Sequence, residues 1–173
     1  MSKNNKVSAD LDTPTDMPPA AVDKISASLD VLLADAFALY VKTKNFHWHV
    51  SGRHFHDYHL LLDDQSDAIF ATTDQLAERV RKLGGVTLRS IGEISKRQTI
   101  KDNNEDYVPP REMLRELMED NKHMAAAMRK AHKIADDSED TGTAQLLELF
   151  IDETERRTWF LFEASRQEGA NAA

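Results

Sequence analysis

The amino-acid sequence predicts an all-α fold, a four-helix bundle with one long crossover connection. Four long segments show the apolar periodicity of amphipathic helices. The joints within the first pair and within the second pair are short, whereas the joint between the pairs runs from Gly84 to Pro109. No segment shows strand-like alternation. Short joints produce antiparallel hairpins, and a long link can cross the length of a bundle.

The first two helices are bounded by residues that favour helix ends. The first is predicted from about Ala20 to Val50, after Pro18 and Pro19, because proline is tolerated at a first helical turn. The second is predicted from about His56 to Leu83. That stretch contains no glycine or proline and stops at Gly84-Gly85, a glycine C-terminus.

The crossover and the last two helices complete the predicted bundle. A short helix is expected around Ile91 to Arg97, a third long helix from about Pro110 to Asp137, and a fourth from about Thr143 to Gln167. Several large apolar residues of the fourth helix are candidates for the core or for an interface: Leu146, Leu149, Phe150, Trp159, Phe160 and Phe162. Four helices with one long crossover form the ferritin-like topology.

Length and composition indicate one domain with short tails. The 173 residues suffice for a single core, predicted over residues 21–167 between a flexible N-terminal tail, 1–20, and a short C-terminal tail, 168–173. Without cysteine the chain can form neither disulfides nor thiolate metal sites. No apolar run approaches the roughly 20 residues of a membrane span. The N-terminus lacks the apolar stretch of a signal peptide, so a cytoplasmic protein without a membrane partner is expected.

One face of the second helix carries residue types that bind metal ions. At about 100° per residue, His59, Asp63, Asp74 and Glu78 fall within roughly 100° of one another. A carboxylate face is usually only solvated, but the histidine favours a site. The opposite face holds the apolar stripe expected to pack on the core: Leu61, Leu62, Ala68, Ile69, Leu76, Val80 and Leu83.

The spacing along this helix excludes a site closed within one chain. At about 1.5 Å per residue, His59 and Glu78 lie roughly 28 Å apart, and Asp63 and Asp74 roughly 16 Å. The helix therefore offers two half-sites, each a pair four residues apart. If a second copy packs antiparallel across a two-fold axis near residues 68 and 69, each half-site meets the other kind on the partner.

His47 adds an imidazole to the first half-site. The turn between the first two helices falls near Ser51 to Arg53, so His47 and His59 are expected at the same height. Each site would then combine two imidazoles and a carboxylate of one chain with two carboxylates of the other. Such ligands suit iron(II), and zinc stays possible because geometry also decides. Leu60 and Phe70 on the same face fit a subunit contact.

Taken together, these residues resemble the Dps family, the DNA-binding proteins from starved cells, or mini-ferritins. The resemblance covers about residues 21–167. The residues that carry it are Phe46-His47-Trp48, Gly52, Phe55, His59, Asp63, Asp74, Ala77-Glu78-Arg79 and Leu83-Gly84-Gly85.

The resemblance implies a hollow dodecamer built from dimers, with a ferroxidase centre at the two-fold interface. The centre would oxidise Fe(II) to Fe(III), preferably with hydrogen peroxide, and the shell would store ferric mineral, which protects the cell from oxidative damage. By this carry-over His47, His59 and Asp63 come from one subunit, and Asp74 and Glu78 from the other. Asp67, between the half-sites, is a candidate for mineral nucleation, and Trp48 is a candidate electron acceptor beside His47.

Two alternatives remain open at this point. The first is a structural protein whose shell compacts DNA and whose metal site serves only assembly or is vestigial; the second is a bundle that binds zinc or another divalent ion without redox chemistry. The net charge of −8 and the tail, where only Lys3 and Lys6 oppose three aspartates, predict weak duplex binding at most. Asp120 and His123 resemble half of a di-iron motif but have no matching inward-facing glutamate on the first two helices.

Overall fold

The computed structural model describes residues 8–166, and these residues form helices joined by turns and loops, with no strand among them. After a 3-10 turn at Ala9–Leu11, α1 spans Pro19–His49, α2 Phe55–Lys82, α3 Ile91–Arg97, α4 Pro110–Asp136 and α5 Thr141–Ser165. The predicted all-α bundle and its short crossover helix are confirmed. No helix in the described range is both long and apolar enough to cross a membrane.

The helices pack as two antiparallel hairpins, α1 with α2 and α4 with α5. The two hairpins contact each other mainly through α1 and α4, and α3 packs against α1. The contact between α2 and α5 is small. The core lies between these helices and contains most of the predicted α2 stripe, with Leu62, Ile69, Leu76, Val80 and Leu83 buried. Leu61 is half-buried and Ala68 is exposed because both lie beside the gap between α2 and α5.

A buried carboxylate attaches the crossover to α1. Asp35 is fully buried and accepts hydrogen bonds from the backbone N–H groups of Thr99 and Ile100, at 2.5 and 3.0 Å, and from the Thr99 hydroxyl. Asp30, one turn earlier, accepts from the Thr87 hydroxyl at 2.9 Å, and burial raises its pKa. Both ends of the crossover are therefore fixed by acidic residues of α1.

The glycine C-terminus predicted for the second helix is present. Gly84 has a φ of +85°, and the Gly85 N–H bonds back to the Val80 carbonyl at 3.0 Å, which closes a Schellman motif. A Cβ on Gly85 would lie 2.5 Å from Ser26 Oγ. Glycine is therefore required at the first position by backbone conformation and at the second by the closeness of α1.

α5 begins two residues earlier than the predicted Thr143 because Asp140 caps it. The Asp140 carboxylate accepts the Thr143 backbone N–H at 3.0 Å and also binds the Arg79 guanidinium, which donates through Nε to the Thr143 hydroxyl at 2.8 Å. This arrangement joins the end of α2 to the start of α5. The predicted end at Gln167 lies outside the described residues.

Four of the apolar residues proposed for the core or an interface on the last helix are exposed: Leu149, Trp159, Phe160 and Phe162. For these four, the core alternative is wrong, because their side chains are 39% to 61% exposed. Phe150 is buried, and Leu146 packs against the core from a half-buried position. Exposed side chains of this size leave an interface as the remaining alternative.

The segment before α1 lies against the end of α2. Arg81 donates to the Leu11 carbonyl at 2.6 Å and to the Thr13 hydroxyl at 3.2 Å, and Met17 packs against the core. Residues 1–7, which include Lys3 and Lys6, and the C-terminal range 168–173 lie outside the described residues. The flexibility assigned to the tails and the weak DNA role of the two lysines stay predictions.

Candidate metal centre

Two histidines from neighbouring helices hold each other in place. The imidazole rings of His47 at the end of α1 and His59 at the start of α2 stack with their centroids 3.7 Å apart. His47 Nδ1 lies 2.8 Å from the His59 carbonyl oxygen, and His59 Nδ1 lies 3.0 Å from the His47 carbonyl oxygen. The two residues therefore stand at the same height in the hairpin.

These two hydrogen bonds determine which ring nitrogens are available to a metal. A carbonyl oxygen only accepts, so each Nδ1 must carry the proton and donate it. In the neutral ring, the lone pair then belongs to Nε2, the form in which histidine ligates metals. The His47 carbonyl lies in the last turn of α1, where carbonyls lack a helical partner, so His59 also satisfies a helix end.

A carboxylate stands next to the pair. Asp63 Oδ1 lies 3.7 Å from His47 Nε2, one helical turn after His59 on α2. The same oxygen accepts a short hydrogen bond from the Lys44 ammonium, which is also 3.8 Å from Asp67 Oδ1. The Lys44 hydrogen bond lowers the pKa of Asp63, and that bond in turn raises the pKa of Lys44. Asp63 is thus anionic, as a metal ligand must be.

The other two candidate ligands lie elsewhere on α2. Asp74 and Glu78 are exposed, and the Glu78 carboxylate pairs with Lys82 at 3.1 Å. Eleven residues of helix, roughly 16 Å, separate Asp63 from Asp74. Across residues 8–166, no three histidine, aspartate or glutamate side chains are grouped closely enough to hold a metal ion. His47 and His59 stack and Asp63 lies beside His47, but these three are not grouped tightly enough to form a metal site by themselves, and Asp74 and Glu78 lie farther along α2.

Exposed apolar side chains occur on α1 and on the face of α2 that carries the two half-sites. Leu60 and Phe70 are each 49% exposed to solvent, and Val41 and Trp48 on α1 are 57% and 65% exposed. The Phe70 ring packs on the Tyr40 ring, with the centroids 4.9 Å apart, and this contact orients the exposed Phe70 side chain. Large exposed apolar groups rimmed by charges are typical of subunit contacts.

The second acid and imidazole pair, Asp120 and His123 on α4, is engaged otherwise. Asp120 accepts a hydrogen bond from the buried Lys42 ammonium at 2.7 Å, and Lys42 also pairs with Glu116. Burial raises the pKa of Asp120, against the lowering effect of Lys42. His123 contacts the Thr99 hydroxyl at 2.7 Å through Nε2. Both side chains thus serve the packing of the bundle.

Comparison with known proteins shows the family to which this chain belongs. The model of the ferritin-like domain matches residues 26–166. A DNA protection during starvation protein of Agrobacterium fabrum is 31% identical over 156 residues, which cover 90% of this chain and 96% of the relative. The chain belongs to the Dps family. An uncharacterized low temperature-induced protein of Nostoc sp. is 32% identical over 75% of this chain and 73% of its own length.

The Dps fold is equally clear from solved structures. The archaeal Dps homologue of Halobacterium salinarum superposes with a TM-score of 0.86 at 26% identity, over 98% of this chain and 96% of its own. In this Dps chain, the sequence predicted the histidines and carboxylates as ligands, which stays a prediction, but not the contact between Lys44 and Asp63. The position of Lys44 three residues before His47, on the same helical face, is the signal that could have revealed it.

Proposed function

We propose that this Dps protein is a ferroxidase that stores iron in an assembled, hollow shell in the cytoplasm. Family membership supports iron storage and protection from oxidative damage in general terms. The observation that carries the finer proposal is the His47–His59 pair, with both Nε2 atoms available beside the ionised Asp63. Asp74 and Glu78 of a second copy would complete the ligand set.

The chemistry of this ligand set suits a change of iron oxidation state. Imidazoles hold Fe(II) and limit the negative charge of the site, and carboxylates favour the harder Fe(III). Hydrogen peroxide accepts one electron from each of two Fe(II) ions and, with two protons, becomes two water molecules. Consuming peroxide in this two-electron reaction avoids the hydroxyl radical that a single electron would produce.

Two further residues are proposed as accessories. Asp67 is exposed one turn beyond Asp63 on α2, where a carboxylate can receive ferric product and start the mineral. Trp48 follows His47 directly and is largely exposed, so it could take an electron or radical from the metal centre. Both roles depend on the ferroxidase proposal.

We expect the assembled protein to oxidise Fe(II) faster with hydrogen peroxide than with oxygen. Anaerobic addition of Fe(II), followed by either oxidant, is monitored through the absorbance of the ferric product. The same additions to a variant that lacks His47 and His59 provide the control, because only the three carboxylates Asp63, Asp74 and Glu78 of the five proposed ligands remain. Equal rates with and without protein under both oxidants would remove the enzymatic function.

Lys44 is expected to compete with the metal for Asp63. The substitution Lys44→Met removes the ammonium that pairs with Asp63. A divalent ion can then bind Asp63 without first breaking this ion pair. Because exposed ion pairs contribute little, the gain in affinity should be modest, at most roughly fivefold. Anaerobic titration with the redox-inert ion Zn(II) measures the change. Lys133→Met, which removes a similar pair with Asp137, should leave the affinity unaltered, and an unaltered affinity in Lys44→Met would show that no competition exists.

The alternative of a DNA-compacting structural protein predicts different behaviour. With a chain charge of −8, we expect little or no retardation of duplex DNA at about 150 mM salt, where charges are screened beyond about 8 Å. Twelve weak tails on one shell would allow some binding at low salt. A gel-shift series over salt concentration distinguishes the two. Tight complexes at physiological salt would favour the structural function.

A further inference from the structure

A cleft of about 340 Å³ opens between α2 and α5, away from the histidine pair. The cleft exists because α2 and α5 contact each other over only a small area. Ala68 and Ala71 of α2 and Phe160 of α5 form its apolar wall, and the buried polar residues Gln65 and Arg157 also line it. The metal centre uses none of these residues.

Arg157 is a buried cation without a neighbouring anion. Its side chain belongs to a residue that is only 7% exposed, and the guanidinium donates to two neutral oxygens, Asn121 Oδ1 at 3.0 Å and Thr154 Oγ1 at 2.6 Å. No carboxylate within the described range comes within ion-pair distance of it. Burial lowers the pKa of Arg157 to about 10, and Glu153 on the rim opposes this effect only from a distance. A buried charge of this kind is costly unless an anion meets it.

Two polar atoms in this region have no hydrogen-bond partner among residues 8–166. They are Arg157 Nη1, a donor, and Gln65 Oε1, an acceptor in a residue only 5% exposed. The Gln65 amide nitrogen is directed to the Arg157 backbone carbonyl at 3.4 Å, which sets the orientation of the amide. Both atoms terminate side chains with several rotatable bonds, so a ligand in the cleft can draw them outward without moving either helix.

We propose that the cleft between α2 and α5 binds a small oxyanion that still carries a proton, such as hydrogen phosphate. The anionic oxygens would accept from Arg157 Nη1, and the protonated oxygen would donate to Gln65 Oε1. The rim adds Arg156, which lies over the Phe160 ring at 5.1 Å, next to the mouth of the cleft. Its charge offsets one of the two exposed rim carboxylates, Asp64 and Glu153, that would otherwise repel an anion.

The proposal is tested on the iron-free assembled protein, so it stands apart from the ferroxidase proposal. Isothermal titration with inorganic phosphate should show saturable binding of one ion per chain. Sulfate at the same ionic strength should bind at least tenfold more weakly, because sulfate has no proton for Gln65 at neutral pH. Phosphate should also raise the melting temperature of the protein, since a ligand of the native state stabilises it.

Two substitutions and one control assign the binding to the cleft. Arg157→Met removes the charge and should reduce phosphate affinity at least tenfold. Gln65→Glu supplies a carboxylate beside Arg157, so it should abolish phosphate binding and raise the melting temperature in phosphate-free buffer. Arg129→Met removes an exposed arginine of α4 outside the cleft and should change neither the phosphate affinity nor the rise in melting temperature that phosphate produces.

The outcomes separate a built site from non-specific attraction of anions. Equal binding of phosphate and sulfate, or undiminished phosphate binding in Arg157→Met, would overturn the proposal. If Arg157→Met does not fold, the Gln65→Glu variant decides: wild-type phosphate affinity in that protein refutes the site. A loss of binding in Arg129→Met equal to that in Gln65→Glu would also refute it, because the anions would then be held by surface charge.

Discussion

Two inactive variants should regain activity when their subunits are mixed. The variant His59→Ala/Asp63→Ala lacks one half-site, and Asp74→Ala/Glu78→Ala lacks the other, so each should oxidise Fe(II) no faster than buffer. In a mixed dimer, one of the two shared sites keeps all of its ligands and the other loses four. Random pairing makes half of the dimers mixed, so up to about a quarter of the native site number should return.

The mixing experiment depends on verified reassembly. The two variants carry tags of different mass, are unfolded and refolded together, and are analysed by native mass spectrometry before the rate of Fe(II) oxidation is measured. Each variant refolded alone is the control for activity that arises from refolding itself. No recovery in confirmed mixed assemblies would falsify the shared site and indicate a site closed within one chain.

Removal of the Asp140 carboxylate should produce the largest loss of stability that we predict. Asp140 is 3% exposed, caps α5 and pairs with Arg79 of α2, so Asp140→Ala leaves a largely buried guanidinium and an uncapped helix. Loss of one partner of a buried pair costs about 3 to 5 kcal/mol. The free energy of unfolding, from urea denaturation at matched protein concentration, measures this.

Two comparison variants separate the contributions of Asp140. Asp140→Asn keeps an oxygen for the Thr143 N–H but removes the charge. Its free energy of unfolding should therefore lie between those of the wild type and Asp140→Ala. Glu155→Ala breaks an exposed pair with Arg129 and should cost at most about 1 kcal/mol. An Asp140→Ala protein as stable as Glu155→Ala would show that the Arg79 pair contributes nothing to the fold.

The sequence predicted the bundle because local signals and burial agreed along most of the chain. The glycine pair after α2 and the apolar stripe that includes Ile69 and Val80 both specify where that helix ends and which face is buried. The start of α5 was less well predicted. Asp140 acts both as a cap and as the partner of Arg79, and only the second role, which is tertiary, explains why it is buried.

The parts of the candidate site that depend on helical periodicity were predictable from the sequence. The parts that depend on the conformation of a long, flexible side chain were not. The closeness of His47 and His59 follows from the length of the turn between their helices. The contact between Lys44 and Asp63 depends on one rotamer of a flexible side chain reaching across the hairpin. The buried Arg157 was also missed, because an arginine on an amphipathic helix is usually on the solvated face.

The reciprocal hydrogen bonds of the histidine pair have a consequence for how the centre can change. Elsewhere, the group that orients a metal-binding imidazole is commonly another side chain, which a mutation can remove while the imidazole remains. Here the acceptors are the backbone oxygens of His47 and His59 themselves. No substitution at a third position can delete these acceptors, so the surrounding loop from Ser51 to His54, apart from Gly52 with its φ of +97°, can vary in sequence while the orientation of both rings is retained.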